Sequence, residues 1–199
     1  MQPNASVILS PESWTQQLPV RELFPNNGPV EIEIGCGKGR FLTARASSHP
    51  RSNFLGIDKL LKRLRKADKK IVSAGLGNVR LLRIEASYAF EKLLPPSSVS
   101  VLYVFFPDPW PKRRHHPRRL FSSDFMESLN TKLIHGGLIY VATDHTEYAG
   151  HIRTLFSKDT RFAEVPPLEP REEERTEFET IFLEQGVRIE RSAFSKKAD

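Results

Sequence analysis

A single carboxylate, Asp108, lies where an apolar segment meets a strongly basic one. Residues 101–106 are rich in β-branched and aromatic side chains, as in a buried strand. Three prolines spaced by two then enclose Asp108 and Trp110: Pro107, Pro109 and Pro111. These prolines restrict the backbone on both sides of the aspartate, which gives it the stiffness that a catalytic group requires. The sequence therefore predicts a rigid acidic site at the carboxyl end of a strand, where open α/β sheets bind ligands.

A dense group of cations follows this turn: Lys112, Arg113, Arg114, Arg118 and Arg119. Nearby acids are too few to pair with all of them. A solvated run of charge would look the same, but the position beside the turn favours contact with phosphate groups. Trp110 could either stack on a base or cover the core. His115 and His116 have no second His or Cys pair at ligand spacing, so no metal site is predicted.

Glu33 precedes a glycine turn between a strand and a helix, with glycines at 35, 37 and 39. Glycines there let a ligand approach the main chain at a helix N-terminus. The spacing matches neither the dinucleotide motif nor a P-loop. A carboxylate at this position would repel a pyrophosphate but attract an ammonium or sulfonium cation.

Acids also end the next two predicted strands. Asp58 ends the second, where an acid binds ribose hydroxyls, and Glu85 ends the third, where it could accept from an adenine amino group. Three acids at successive strand ends describe a nucleoside with a cationic tail. S-adenosylmethionine fits that description and NAD fits it poorly. The alternative is an ordinary tight turn followed by acids that cap helices.

The elements that must position these residues alternate along the chain. Apolar runs predict strands at 30–34, 53–57, 79–84, 99–105 and 138–142, with helices between and after them. One helix, at 60–71, has six cations interleaved with its apolar positions. This alternation is typical of an α/β fold with a doubly wound, mainly parallel sheet. Residues 187–194 alternate apolar and polar side chains and predict an added antiparallel edge strand.

The remaining features concern the whole chain. A length of 199 residues predicts one domain, over 29–199. Residues 1–28 are polar and contain prolines, which predicts an irregular N-terminal arm with a short helix near 14–18. Lysine and arginine exceed the acids by 30 to 24, which favours an acidic partner. The single cysteine, Cys36, permits no internal disulfide. No export signal or membrane-spanning run of about 20 apolar residues is present, so a cytoplasmic protein is expected.

Several blocks resemble the bacterial tRNA (guanine-N7)-methyltransferase family. They run in the family's order over roughly residues 30–192: EIGCGKGRF (33–41), FLGID (54–58), FFPDPWPKRRH (105–115), RRL (118–120), ATDH (142–145) and TEFE (176–179). The resemblance implies a Rossmann-like, class I S-adenosylmethionine-dependent methyltransferase. It also implies methyl transfer to N7 of a guanine in the tRNA variable loop, position 46 in the family, which gives 7-methylguanosine.

The resemblance implies site residues position by position. The cofactor would be bound by Glu33, Gly35, Gly37, Asp58, Glu85, Ala86 and Asp108, and Asp108 would also be catalytic. The substrate nucleotide would be bound by Lys112, Asp144, Thr176, Glu177, Phe178 and Glu179. Two positions depart from the family pattern, since Asp58 stands where Glu is usual and Glu85 where Asp or Asn is usual. The implied partner is tRNA, bound by a monomer or homodimer without a metal or a membrane.

Methylation of guanine at N7 does not need a general base. Guanine N7 already has a free lone pair, so alignment for in-line attack is the main requirement. Asp108 would stabilise the positive charge that develops on the purine, or accept from its N1–H and N2–H₂ edge.

Three alternatives stay open: an adenine-N6 or other amino-methyltransferase, a small-molecule methyltransferase, and a non-catalytic tRNA-binding subunit. Product analysis, the salt dependence of substrate binding and cofactor binding would separate them.

Overall fold

The computed structural model describes residues 6–198, which fold around one seven-stranded sheet. The strand order is β3-β2-β1-β4-β5-β7-β6, and every neighbouring pair is parallel except the two that involve β7. The strands are β1 (Val30–Ile34), β2 (Asn53–Asp58), β3 (Val79–Arg83), β4 (Val99–Phe105), β5 (Leu133–Thr143), β6 (Phe162–Val165) and β7 (Glu190–Lys196). This sheet confirms the α/β, mainly parallel fold class.

Helices cover both faces of the sheet, as the alternating pattern predicted. They are α1 (Arg40–Ser48), α2 (Leu61–Ser73), α3 (Ala86–Tyr88), α4 (Ser123–Lys132), α5 (Thr146–Lys158) and α6 (Glu177–Glu184). A π-helical turn, Ala89–Leu93, continues α3. In α2 the apolar stripe Leu64, Ala67 and Ile71 is fully buried, and burial of that stripe fixes the helix against the sheet.

The C-terminal part differs from the prediction in three ways. The antiparallel strand exists, but it lies one place inside the edge, because β6 pairs along its outer side. Neither β6 nor α6 was predicted. β6 has four residues and buries only Phe162. α6 buries only Glu179. Phe178, Ile181 and Phe182 have helical spacing, but the first two are exposed and Phe182 is half-buried, so this short apolar stripe does not reach the core.

The N-terminal arm is partly built into the core. Leu18, Val20 and Phe24 are buried with the central cluster, and Ile8 forms a parallel bridge to Leu81 beside β3. The short helix predicted near 14–18 is wrong: a 3-10 turn forms instead at Val20–Leu23. Residues 1–5 lie outside the described part of the chain, and the division between arm and domain stays a prediction.

Candidate active site

Five of the predicted cofactor residues line one cavity of about 600 Å³ beyond the carboxyl ends of the strands: Gly35, Asp58, Glu85, Ala86 and Asp108. Trp110, Arg118 and Phe178 also line it. A neighbouring cavity of about 270 Å³ is lined by Glu33, Gly37, Lys38, Thr176 and Glu177, among others. We call these the larger and the smaller cavity. Gly35, Arg63, Phe105 and Phe178 line both, so the two form one divided cleft.

The glycine turn at the end of β1 leaves open space for a ligand. Gly35 has φ +74° and Gly37 has φ +55°, a backbone region that favours glycine. A side-chain carbon at Gly35 would meet no other atom within 4 Å, whereas one at Gly39 would lie 2.8 Å from the Ala67 side chain. The third glycine is therefore needed for packing against α2, and the first leaves the cleft open.

Asp58 holds this turn in place through its own carboxylate. Its Oδ2 accepts from the Gly37 backbone N–H at 3.0 Å, and its Oδ1 accepts from the Leu60 N–H at 2.7 Å. The side chain thus joins the glycine turn to the start of α2, at the bottom of the larger cavity. Each oxygen keeps acceptor capacity beyond its single bond, so Asp58 can support the turn and accept from a ligand.

Glu33 is buried and only partly satisfied. Its Oε2 has no hydrogen-bond partner among the described residues. Burial, followed by the charge of Asp58, raises the pKa of the Glu33 carboxyl to about 8. A buried carboxyl that lines a cavity and has an unpaired oxygen is a position where a cationic donor would be stabilised.

Glu85 and Ala86 lie on the opposite wall, at the start of α3. Glu85 is the N-cap residue, and its Oε2 accepts from the Tyr88 N–H at 3.1 Å. Glu85 therefore caps a helix, as the alternative interpretation of the strand-end acids expected. Its side chain is exposed and lines the larger cavity, which leaves it accessible to a ligand.

Asp108 projects from a strained turn after β4. Phe106 and Trp110 flank it with φ values of +53° and +43°, which non-glycine residues rarely adopt and which store backbone strain. The Phe106 N–H donates to the Ala142 carbonyl at 2.7 Å and fixes the turn to β5. The Asp108 side chain is exposed at the mouth of the larger cavity, with no hydrogen bond from another described residue.

The basic loop, residues 112–119, divides into exposed cations and one buried arginine. Lys112, Arg113, Arg114 and Arg118 are exposed. Arg118 lies over the Trp110 ring at 5.1 Å and lines the larger cavity. Trp110 is thus covered on one face by this cation, and whether the ring also stacks on a base stays a prediction.

Arg119 does not take the place expected of a phosphate contact. It is only 4% exposed. Its Nε donates to the Pro109 carbonyl at 2.8 Å, and its two terminal nitrogens donate to Glu147 at 3.1 and 2.5 Å. The guanidinium also lies over the Tyr148 ring at 4.8 Å. Arg119 therefore ties the backbone directly after Asp108 to α5, and its fork is not available to RNA in this arrangement.

The acidic segment, residues 171–184, includes α6 and covers the smaller cavity. Thr176 caps α6 by accepting from the Glu179 N–H at 3.0 Å. Glu177 pairs with Lys38 of the glycine turn at 2.7 Å. Phe178 is 50% exposed, packs near Phe106 and separates the two cavities. Three of the predicted substrate residues thus lie at the cleft, namely Thr176, Glu177 and Phe178.

The other predicted substrate residues lie outside the two cavities. Glu179 is buried and pairs with Arg191 of β7. Asp144 directly follows β5 and is exposed but lines neither cavity. Lys112 is exposed in the basic loop. Their roles stay predictions, and for Glu179 a contact with a base would require release from Arg191.

Comparison with known proteins identifies this arrangement. A family model described as "Putative methyltransferase" matches residues 27–193. The tRNA (guanine-N(7)-)-methyltransferase of Chlorobium phaeobacteroides is 35% identical over 195 residues, which cover 98% of this chain and 92% of that protein. The chain belongs to the tRNA (guanine-N(7)-)-methyltransferase family.

Solved methyltransferase structures share the fold of this family member. The 16S rRNA methyltransferase KamB superposes with a TM-score of 0.63 at 18% identity, over 90% of this chain and 91% of that one. A putative methyltransferase from Streptococcus mutans, in complex with SAH, gives a TM-score of 0.54 at 11% identity, over 86% and 90% of the two chains. The class I methyltransferase fold is confirmed.

The cleft of this family member also includes residues that the sequence did not indicate as site residues, and two of them lie at its centre. Arg63 and Phe105 line both cavities. Arg63 belongs to the first turn of α2, which follows directly on β2. A helix that follows a parallel strand starts at the carboxyl edge of the sheet, so its first turn could have been included among the candidates.

A second large cavity, of about 610 Å³, lies at the opposite, amino-terminal edge of the sheet and is lined by residues such as Pro29, Asn53 and Pro95. Its lining holds a single carboxylate, Glu22, and none of the acids that follow the carboxyl ends of the strands. Ligands of open α/β sheets bind at the carboxyl ends of strands, so we assign the chemistry to the cleft with Asp108.

None of the helices between residues 6 and 198 has the length and apolar character needed to cross a bilayer. Within the same residues, no three His, Cys, Asp or Glu side chains are grouped as metal ligands would be.

Proposed function

We propose that the protein transfers a methyl group from S-adenosylmethionine to N7 of a guanine in the variable loop of tRNA, at position 46. The proposal rests on one observation above all: Asp58, Glu85 and Asp108 line a single cavity beside an exposed basic loop, in a chain that matches a tRNA (guanine-N(7)-)-methyltransferase over 98% of its length. The enzyme would act in the cytoplasm as a monomer or homodimer.

The residues of the cleft fit this cofactor. The open space at Gly35 and the unpaired, buried oxygen of Glu33 suit a cationic amino acid tail. Asp58 and Glu85 both keep acceptor capacity for hydroxyl and amino groups at the larger cavity. Glu33, Gly35, Gly37, Asp58, Glu85 and Ala86 would therefore hold the group. When bound, S-adenosylmethionine supplies an electrophilic methyl on a positively charged sulfur.

The protein's own task is to align the base and to stabilise charge. Guanine N7 has a free lone pair, so no residue has to remove a proton before attack. The purine becomes cationic as N7 takes the methyl group, and a fixed carboxylate nearby stabilises that charge. Asp108 has this role in our proposal, because it lines the larger cavity from a turn restricted by prolines. Arg119 positions it through the Pro109 carbonyl.

Substrate binding would involve both sides of the cleft. Phe178 offers an exposed ring at the boundary of the two cavities, suited to stacking on a base that has left its own stack. Lys112, Arg113, Arg114 and Arg118 are exposed and suited to phosphate contacts. Asp144, Thr176 and Glu177 are candidates for the base edge, and so is Glu179 once it is released from Arg191.

The test is methyl transfer from labelled S-adenosylmethionine to two tRNA transcripts, one with guanine at position 46 and one with adenine there, followed by nucleoside analysis. We expect 7-methylguanosine from the first transcript alone. Methylation of an exocyclic amino group would favour the amino-methyltransferase alternative. Cofactor binding without any labelled RNA would favour a small-molecule substrate, and failure to bind the cofactor would favour a non-catalytic subunit.

A further inference from the structure

Helix α2 presents the largest concentration of exposed cations in the described structure, and the proposed function does not use it. Its 13 residues include Lys62, Arg63, Arg65, Lys66, Lys69 and Lys70. All six are exposed, and none makes a salt bridge to a residue between 6 and 198. Elsewhere in the fold, arginines such as Arg45, Arg119 and Arg161 are paired with carboxylates.

The one carboxylate on α2 does not neutralise this face. Asp68 accepts from the Ser6 hydroxyl at 3.0 Å and from the Val7 backbone N–H at 2.7 Å. It therefore anchors the N-terminal arm along the sheet edge. Asp68 forms no salt bridge with a cation of α2 among the described residues, and one carboxylate against six cations leaves the helix strongly positive.

This charge arrangement is unfavourable for the helix itself. Lys62, Lys66 and Lys70 follow one another at i, i+4, and Arg65 and Lys69 form another such pair, and like charges at that spacing destabilise a helix. The first turn holds no acid, so Lys62 and Arg63 also oppose the positive end of the helix dipole. A polyanion on this face would relieve both effects.

The face is rigid and continuous with the cleft. Burial of Leu64, Ala67 and Ile71 fixes the orientation of the helix. Arg63 lines both cavities, and Lys59, just before the helix, lines the larger one. Arg118 of the basic loop lines the same cavity from the other side. Positive charge thus extends from the basic loop past the cavity mouth and along α2, over about 20 Å of helix.

We propose that the exposed face of α2 is a second RNA-binding surface, which contacts the phosphate backbone of the tRNA away from the target nucleotide. This inference rests on the proposed function, because it takes tRNA as the polyanion. Contacts of this kind carry no sequence information, but they add affinity and orient the RNA so that the target base reaches the cleft.

The experiment compares two triple variants that remove the same charge. In Lys62→Gln/Lys66→Gln/Lys69→Gln the helix propensity is kept, because glutamine is nearly as good a helix former as lysine. The control, Arg21→Gln/Arg51→Gln/Lys158→Gln, removes three exposed cations at the amino-terminal edge of the sheet. Binding of unmodified tRNA is measured without cofactor from about 50 to 200 mM salt. Cofactor binding by calorimetry checks that both variants are folded.

We expect the α2 variant to bind tRNA at least about tenfold more weakly at 100 mM salt, with a salt slope smaller by about 2, since each lost phosphate contact removes about 0.7–0.9 from it. The control should stay within about twofold of the wild type. Equal losses in the two variants would overturn the inference, because net charge alone would then explain binding, and so would wild-type affinity in the α2 variant.

The two proposals fail separately. A wild-type enzyme that forms 7-methylguanosine, with an α2 variant that binds tRNA normally, contradicts only the second surface. A wild-type protein that binds tRNA through α2 but leaves it unmethylated contradicts only the proposed function.

Discussion

The two segments that flank the cleft have opposite charge and use it in opposite ways. In the basic loop, Arg119 is the one cation that forms a salt bridge with a described residue, and the other four are exposed. In the acidic segment, four of the six glutamates are paired: Glu173 and Glu174 with Arg171, Glu177 with Lys38, and Glu179 with Arg191. A dense run of charged residues in a sequence therefore indicates a ligand-binding surface only where the fold leaves those side chains without salt-bridge partners.

Replacement of Asp108, the unpaired carboxylate beside the basic loop, should have the largest effect on turnover. Asp108→Asn removes the negative charge and keeps the size of the side chain, so turnover with tRNA should fall by about 100- to 1,000-fold. Cofactor affinity, measured by calorimetry, should change much less, because Glu33, Asp58 and Glu85 remain. Near-wild-type turnover would show that Asp108 does not stabilise charge in the reaction.

Arg118 and Arg119 are neighbours in the basic loop, but one is exposed and the other is buried. Arg119→Lys keeps the charge but loses the fork that binds Glu147 and the Pro109 carbonyl. We expect kcat to fall by about 10- to 100-fold, because Asp108 is misplaced, while the salt slope of tRNA binding stays unchanged. Arg118→Gln should instead raise KM for tRNA and lower that slope by about 0.7. The same slope change in both variants would return Arg119 to the phosphate contacts.

The sequence predicted the parts of the molecule that depend on local pattern. The strands, the glycine turn and the acids Asp58, Glu85 and Asp108 could be placed because apolar periodicity fixes where strands end, and parallel strands end at one edge. The pairing of charges could not be predicted, because it joins residues distant along the chain. Glu147 lies 28 residues from Arg119, and nothing near Arg119 shows that it is buried.

Two adjacent glutamates of the acidic segment, Glu173 and Glu174, differ in burial and can be compared directly. Glu174 is 1% exposed and accepts from both Arg45 and Arg171, so Glu174→Gln should lower the free energy of unfolding by about 2 kcal/mol. Glu173→Gln, next to it, affects a carboxylate that is 59% exposed and should leave the melting temperature nearly unchanged. Thermal unfolding measures both. Equal effects would mean that the segment does not act as a structural clamp.

Glu33 is a buried carboxyl with an unpaired oxygen, and it lines the smaller cavity that the acidic segment covers. Its pKa is raised to about 8, first by burial and second by the charge of Asp58. Below that pH the free protein holds the proton. A cationic ligand group favours the ionised form and releases it. Affinity for S-adenosylmethionine, measured by calorimetry, should therefore rise by up to about tenfold per pH unit towards pH 8 and level off above it.

The control for this pH dependence is Glu33→Gln, which retains any titration of the cofactor's own amino group. Its affinity for S-adenosylmethionine should be lower and should lack the part of the pH dependence that comes from Glu33.

The pH dependence of the free energy of unfolding tests the same pKa independently. Between the unfolded pKa of about 4.3 and the folded value of about 8, the native state binds more protons than the unfolded chain. Wild-type stability relative to Glu33→Gln should therefore fall as pH rises through that window, and a constant difference would show that Glu33 is ionised in the free protein.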